Sequence, residues 1–302
     1  MADTKIEWTD VTWNPTTGCD QISSGCDNCY ALTMARRLKA MGQAKYQTDG
    51  DPRTSGPGFG LAVHEGSLND PFTWRTPQKV FVNSMSDLFH AKVPLDFVRR
   101  VFEVIEATPQ HTYQVLTKRA SRLPKVADKL SWPRNLWMGT SIESDEHTGR
   151  ADDLRQVPAA VRFLSLEPLL GPLPSLDLAG ISWVIVGGES GPGARPMYPD
   201  WARSLRDRSV AAGVAFHYKQ HGAWATYGDG ETTSAGSHGP LALVSPDGRT
   251  HSTRMGVLAP AGSVLMARYG KHRAGRVLDG RTWDEFPQER AAAGVASREG
   301  SP

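Results

Sequence analysis

The segment WVIVGGE, at residues 183–189, places an unbroken apolar run directly before two glycines and a glutamate. A short run of this kind is typical of a parallel strand that is covered on both faces. Similar runs begin 21 to 33 positions apart, which is the length of a strand, a helix and two loops. They lie at residues 80–83, 113–116, 136–139, 162–166 and 214–218. The pattern predicts an α/β fold, a partial or complete (βα) TIM-type barrel of parallel strands.

Helical periodicity appears between these runs. Apolar residues recur at intervals of three and four over residues 94–107, which indicates a helix with one apolar face. Residues 200–212 show a similar pattern, and we expect Asp200 to cap that helix. A third apolar stripe runs from Tyr30 to Met41, directly after the last cysteine. We therefore expect a helix to begin where the cysteine segment ends.

Beyond Trp224 the sequence shows signals for tight hairpins in place of alternating strands and helices. The tetrapeptide DGRT occurs at residues 247–250 and again at 279–282, and Asp-Gly is a strong signal for a tight hairpin. Residues 45–75, rich in Gly, Pro, Asp and Thr, predict a long functional or mobile loop. The expected organisation is a barrel with an N-terminal three-cysteine loop over 1–224, an antiparallel β appendage over 225–288 and a flexible tail over 289–302.

Length and charge exclude some classes of protein. The 302 residues suit one large domain or two small ones, and 34 basic against 32 acidic side chains disfavour a strongly basic nucleic-acid binder. No apolar run approaches the length of a membrane span, and the N-terminal stretch MADTKIEWTD lacks an apolar signal core. We therefore expect a cytoplasmic protein without a membrane partner.

The cysteines Cys19, Cys26 and Cys29 fall within eleven residues, and the rest of the chain contains none. Three thiolates on a four-iron cluster would leave one iron without a protein ligand and open to another molecule. Zinc is an alternative, but it prefers four ligands, and His64 and His90 are too far away in sequence to be assigned as the fourth. Buried structural cysteines are a further alternative, although the segment is polar and glycine-rich.

Polar residues follow the predicted strands, at the edge where parallel α/β folds collect their reactive groups. The candidates for catalysis are Lys118, Glu167 and Glu189. Each could equally cap a helix or lie in a solvated loop. A dense basic cluster suits either a nucleic-acid contact or a solvated hairpin face, and it comprises Lys271, His272, Arg273 and Arg276.

Several segments together resemble the phage-type three-Cys-motif protein family. They include IEWTDVTWNPTTGCDQISSGCDNCYA at 6–31, SMSDLFH at 84–90, QVLTKR at 114–119, RFLSLEPLLGPL at 162–173, VIVGGESGPGARPM at 184–197, YKQHG at 218–222 and GKHRAGRVLDGRTWDEFP at 270–287. That family is in turn similar to the radical SAM superfamily. The resemblance implies that Cys19, Cys26 and Cys29 hold a 4Fe-4S cluster whose fourth iron binds S-adenosylmethionine. The residues we expect to bind that cofactor are Ser165, Glu167, Gly187, Gly188, Glu189 and Arg195.

The leading hypothesis is a radical SAM-like enzyme that reductively cleaves S-adenosylmethionine, with an external electron donor. Its substrate is not identified by the sequence, and nucleic acid is one candidate. The first alternative is a zinc or iron-sulfur module that binds or processes nucleic acid without radical chemistry. The second is a metal-independent barrel hydrolase in which Glu167 and Glu189 act as acid and base.

Overall fold

The computed structural model describes residues 2–4, 6–228, 239–251, 253 and 259–288. The expected tail, residues 289–302, lies outside this described part. The strands are β1 (Ala2–Asp3), β2 (Val11–Trp13), β3 (Thr16–Thr17), β4 (Ala62–Val63), β5 (Lys79–Val82), β6 (Thr112–Thr117), β7 (Leu136–Ser141), β8 (Val161–Leu166), β9 (Trp183–Gly187), β10 (Ala215–Gln220), β11 (Trp224–Thr226), β12 (Leu241–Val244), β13 (Thr250–His251) and β14 (Val264–Arg268). The helices are α1 (Tyr30–Ala40), α2 (Leu95–Ala107), α3 (Leu123–Val126), α4 (Gly149–Arg155), α5 (Pro199–Ala211) and α6 (Lys271–Ala274), and a long 3₁₀ helix covers Glu65–Thr73.

The main sheet has the strand order β1-β2-β5-β6-β7-β8-β9-β10. The seven strands from β2 to β10 are parallel and curl into a half-barrel, while β1 pairs with β2 in the antiparallel direction. The prediction of an α/β fold with a partial TIM-type barrel is confirmed. All six predicted strands are present, and β2 is a seventh that the sequence did not reveal because it spans three residues.

The three predicted helices correspond to α1, α2 and α5, with two differences in detail. The expected cap of α5 is wrong, because Tyr198 takes the cap position and Asp200 lies within the first turn. Pro199 fits there since it has no backbone N–H to leave unpaired. In α1, Ala31 and Ala35 are buried while Tyr30 is exposed, so the small side chains face the protein.

Aromatic side chains fill the concave face of the half-barrel. Phe81, Trp137, Phe163 and Trp183 come from four strands of the sheet and pack with Trp8. The Trp183 ring lies 6.1 Å from the ring of Trp137 and 5.6 Å from that of Phe163. Because these side chains alternate with those packed under the helices, each strand is buried on both faces. The remaining opening is at the carboxyl ends of the strands.

A separate antiparallel sheet with the strand order β11-β14-β12-β13 follows the half-barrel. The DGRT turn at 247–250 connects β12 to β13, as predicted. At the second DGRT, Asp279 and Gly280 have φ of 54° and 78°, the left-handed values that a type I′ turn requires. An antiparallel bridge between Leu278 and Arg281 closes this turn. No helix in the described part of the chain is both long and apolar enough to cross a membrane.

Gly139 has no room for a side chain, which gives a test of the aromatic packing. A Cβ at this position would lie 2.4 Å from the Phe163 ring. We expect Gly139→Ala to lower the free energy of unfolding by about 1–3 kcal/mol, the usual cost of overpacking, as measured by urea denaturation. Gly149→Ala is the control, because a Cβ there meets nothing within 4 Å. Adding Phe163→Leu to Gly139→Ala should recover part of the loss, and an unchanged unfolding midpoint in Gly139→Ala would contradict the packing described.

His217 gives a second test, through the dependence of stability on pH. It is 1% exposed on the concave side, and neither ring nitrogen has a hydrogen-bond partner within the described residues. Burial, together with the charge of Arg276, lowers its pKa from 6.5 to about 4. Between these values the unfolded chain binds a proton that the folded chain does not, so the free energy of unfolding should fall as pH drops from 6.5 to 4.

The fall should amount to at most about 3 kcal/mol, and His217→Leu should remove it from urea-unfolding measurements taken across this pH range. His272→Leu, at an exposed position, should leave it in place. Parallel pH profiles for wild type and His217→Leu would show that His217 does not titrate as described.

Candidate functional site

The segment between β2 and α1 brings the three thiols to a single cavity at the open end of the half-barrel. Cys19, Cys26 and Cys29 all line this cavity, which measures about 160 Å³. Asn83, after β5, and Lys118, after β6, line it from the sheet. The cavity therefore joins the cysteine segment to the strand ends.

The long loop before β5 is ordered against the cysteine segment. Strands β3 and β4 pair in the antiparallel direction, and the backbone N–H of Cys19 donates to the carbonyl of Phe59 over 3.3 Å. Gly18 has φ of +85°, and a Cβ there would lie 2.1 Å from the carbonyl oxygen of Gly60. Only glycine permits both this backbone conformation and this approach. The residues predicted as a loop thus fix the path of the first cysteine.

Cys19 lies beside both a cation and an anion. Arg119 Nη1 donates to Cys19 Sγ over 3.1 Å and to Asp87 Oδ2 over 3.2 Å. Burial, with the negative charge of Asp87, raises the pKa of the Cys19 thiol to about 12, while Arg119 acts in the opposite direction. The metal ligand is the deprotonated thiolate of cysteine, not the thiol. Arg119 is therefore the group that favours the form in which Cys19 could bind a metal.

The other two thiols have different neighbours. Ser23 Oγ lies 3.9 Å from Cys26 Sγ. Burial raises the pKa of Cys29, whereas the first backbone amides of α1 and the charge of Lys118 favour its thiolate. Each of the three sulfurs therefore has its own polar neighbours, and the two cationic ones, Lys118 and Arg119, are consecutive residues after β6.

The two histidines considered as a fourth zinc ligand are engaged elsewhere. His64 Nε2 lies 2.8 Å from the hydroxyl of Thr17. His90 Nδ1 accepts the backbone N–H of Lys92, so Nε2 carries the proton and donates to Asp20 over 3.0 Å. Neither histidine lines the cavity. Across the described ranges, no three His, Cys, Asp or Glu side chains form a group that could hold one metal ion.

Glu189 and Arg195 hold the cysteine segment against the sheet. Glu189 is 6% exposed, and its carboxylate accepts Arg195 Nε over 2.9 Å and Arg195 Nη2 over 2.6 Å. The same carboxylate accepts Asn28 Nδ2 over 3.0 Å, and Arg195 Nη2 donates to the carbonyl of Ser24 over 2.8 Å. Asn28 and Ser24 flank Cys26, so these contacts form a clamp on the cysteine segment.

Glu167 forms a separate ion pair at the neighbouring strand ends. Lys219 Nζ donates to both of its carboxylate oxygens, over 2.8 and 2.7 Å, and Gln220 donates to one of them over 3.0 Å. Gly187 lies directly against this carboxylate, since a Cβ there would be 3.2 Å from Glu167 Cδ. Ser165 pairs in register with Ser141, a residue that lines the cavity. Of the predicted catalytic and cofactor-binding residues, all of them described, only Lys118 lines the cavity itself.

One protein family matches almost the whole chain. It is described as "Protein of unknown function (DUF5131)", and the match covers residues 3–287. The chain belongs to the DUF5131 family.

Two solved structures are also similar to this DUF5131 protein. One is a spore photoproduct lyase mutant with bound AdoMet and dinucleoside spore photoproduct, at 14% identity and a TM-score of 0.37. The other is a spore photoproduct lyase complexed with dinucleoside spore photoproduct, at 15% identity and a TM-score of 0.36. They cover 66% and 65% of this chain, and the chain spans 60% and 59% of theirs. No curated protein matches the sequence. The resemblance to phage-type three-Cys-motif proteins stays a prediction.

Four further residues of this DUF5131 site belong to the polar strand ends that the sequence predicts, although none of them is among the predicted catalytic or cofactor-binding residues. Asp87 and Arg119 contact each other, and Arg119 contacts Cys19, as described above. Asn83 is buried at φ of 65°, and its Oδ1 has no hydrogen-bond partner among the described residues. Glu143 is fully buried beneath Gly25, where a Cβ would lie 3.0 Å from its side chain. All four lie at the ends of predicted strands, so their position was expected from the sequence, whereas these contacts were not.

The clamp gives a prediction about stability. Replacing Arg195 by Met leaves the buried carboxylate of Glu189 without its charged partner. We expect the free energy of unfolding to fall by about 2–3 kcal/mol in urea denaturation, somewhat less than for a fully buried pair because Arg195 is partly exposed. The control is Arg203→Met, which breaks ion pairs with the more exposed Asp200 and Asp279. Equal losses in the two variants would contradict a special role for the clamp.

Proposed function

We propose that this protein is a radical SAM-like enzyme. Cys19, Cys26 and Cys29 would bind a 4Fe-4S cluster, and the iron without a cysteine ligand would bind S-adenosylmethionine. The observation that carries the proposal is the convergence of three thiols on one cavity, each beside its own polar neighbour. This donor set suits a cluster, because soft thiolates select iron-sulfur centres or zinc, and three of them leave one iron of a cubane free.

The size of the cavity favours a cluster over zinc. A single zinc ion bound by three thiolates would fill little of a space of about 160 Å³. A four-iron cluster with part of a bound cofactor would fill much more of it. The engagement of His64 and His90 with Thr17 and Asp20 also argues against either of these two histidines as a fourth zinc ligand.

When bound to Cys19, Cys26 and Cys29, the cluster would supply one-electron reduction of S-adenosylmethionine to methionine and an adenosyl radical, with the electron coming from an external donor. The chain's own residues would bind and orient the cofactor. The unpartnered Oδ1 of Asn83, one of the described buried atoms, can accept the amino group, and Lys118 can pair with the carboxylate. The adjacent strand ends would bind the adenosyl half through Ser165, Glu167, Gly187 and Gly188. The aromatic side chains on the concave face of the half-barrel would exclude water from that side of the cavity.

Glu189 and Arg195, expected from the sequence to bind the cofactor, would instead act as positioning residues for the cysteine segment. The contacts also weaken the hydrolase alternative, because cationic side chains already hold both Glu167 and Glu189. The nucleic-acid module is likewise weakened, because Arg276 pairs with Asp284 and Lys271 lies 3.6 Å from Glu7. No observation favours either one over the radical SAM-like function.

The proposal can be tested by anaerobic reconstitution with iron and sulfide. We expect wild-type protein to take up about four irons and four sulfides per chain, and to form 5′-deoxyadenosine from S-adenosylmethionine and dithionite. Cys26→Ala should lower iron uptake and abolish product formation. Thr33→Ala, on the exposed side of α1, should leave both unchanged.

Two results would overturn the proposed function. The first is uptake of zinc without iron or sulfide by the wild-type protein. The second is formation of 5′-deoxyadenosine at the wild-type rate by the Cys26→Ala protein, since an open cluster site requires all three thiolates.

A further inference from the structure

We propose that Arg119 is a positioning residue that raises the reduction potential of the cluster through its hydrogen bond to Cys19. The inference rests on the proposed function, because it assigns a role at the same three-thiolate site. It concerns the one-electron reduction of the cluster by the external donor. Its basis is the geometry of the guanidinium and of the groups that hold it.

The guanidinium of Arg119 is fixed by three hydrogen bonds, two from Nη1 and one from Nη2. Nη1 donates to Cys19 Sγ and Asp87 Oδ2, while Nη2 donates to the carbonyl of Asp20 over 2.9 Å. The side chain is 13% exposed. Because the guanidinium is planar, the bond to Asp20 and the bonds of Nη1 constrain each other. Arg119 therefore cannot swing away from the sulfur without losing contacts on both nitrogens.

Asp87 is itself anchored by the sheet, so it can hold Arg119 in place whether or not Cys19 is charged. Its Oδ1 accepts the hydroxyl of Thr117 over 2.7 Å and the backbone N–H of Phe89 over 2.9 Å. Its Oδ2 accepts the backbone N–H of Lys118 over 3.0 Å. These donors come from the segments that follow β5 and from the end of β6. The position of the guanidinium is thus determined by the strands and not by the metal centre.

The burial of Arg119 strengthens the electrostatic effect of its charge on the Cys19 sulfur. The Arg119 side chain is 13% exposed and its Nη1 lies 3.1 Å from Cys19 Sγ, so solvent screens its positive charge from the sulfur only weakly. Reduction adds one negative charge to the cluster and its thiolates. A cationic donor on a ligand sulfur stabilises the reduced form more than the oxidised form, and hydrogen bonds to the sulfurs are among the factors that set such potentials. Loss of Arg119 should therefore make the cluster harder to reduce.

The three cysteines differ in this respect. Cys26 is near a neutral hydroxyl, and Cys29 is favoured by backbone amides and by Lys118. Among the described hydrogen bonds, only the one from Arg119 links a guanidinium to a cysteine sulfur. The iron bound to Cys19 is therefore the one whose environment this residue would tune.

The experiment is an EPR-monitored redox titration of reconstituted wild-type, Arg119→Met, Arg119→Lys and Arg122→Met proteins. Arg122 is the matched control, because it lies three positions away and donates to the backbone carbonyls of His90 and Val93. At the wild-type midpoint, we expect Arg119→Met to lower the ratio of reduced to oxidised cluster about tenfold, equal to about 59 mV for one electron. The midpoint potential of Arg119→Lys should lie between those of wild type and Arg119→Met, because lysine keeps the positive charge but cannot make the hydrogen bonds of both guanidinium nitrogens.

Each outcome decides the inference. A midpoint in Arg119→Met equal to wild type, or an equal shift in Arg122→Met, would overturn it. If Arg119→Met holds no cluster, the midpoint of Arg119→Lys decides, and an unshifted value contradicts the inference. If neither variant at position 119 holds iron while Arg122→Met does, the role of Arg119 is structural only and the inference is wrong. Failure of wild-type protein to take up iron and sulfide would instead overturn the proposed function itself.

Discussion

The central physical constraint in this protein is the burial of thiols that would have to lose their protons to bind the proposed cluster. Burial raises the pKa of both Cys19 and Cys29, so the cavity resists the form of sulfur that a metal needs. Arg119, Lys118 and the start of α1 counter this resistance. A bound metal would supply the rest, because its own positive charge stabilises the thiolates.

The half-barrel meets this constraint by placing polar groups at the ends of its strands. The segment after β5 supplies Asp87, the end of β6 supplies Arg119, and the end of β9 supplies Glu189, which holds the cysteine segment through Arg195. The concave face below is lined by aromatic side chains that pack against one another. The same strand geometry thus places apolar aromatic side chains on the concave face and charged side chains at the carboxyl ends of the strands.

Much of the fold was predictable because its signals are local. Unbroken apolar runs identified six strands, and Asp-Gly pairs identified both tight turns. Strand β2 was not predicted because three residues are too few to show a pattern. The apolar stripe predicted helix α1 but not its buried face, because the residues that face the protein are alanines. The grouping of the three cysteines follows from their spacing, but the clamp does not: Asn28 and Glu189 are 161 positions apart, and no local pattern links them. Contacts of that kind depend on the closed fold.

The most direct measurement of the central claim is Mössbauer spectroscopy of the iron-loaded wild-type protein before and after addition of S-adenosylmethionine. The claim is that three thiolates hold a cluster with one open iron. It predicts that one iron of about four changes its isomer shift on addition, while those bound to Cys19, Cys26 and Cys29 keep theirs. A spectrum in which no iron responds, or in which the iron is mononuclear, would contradict the account.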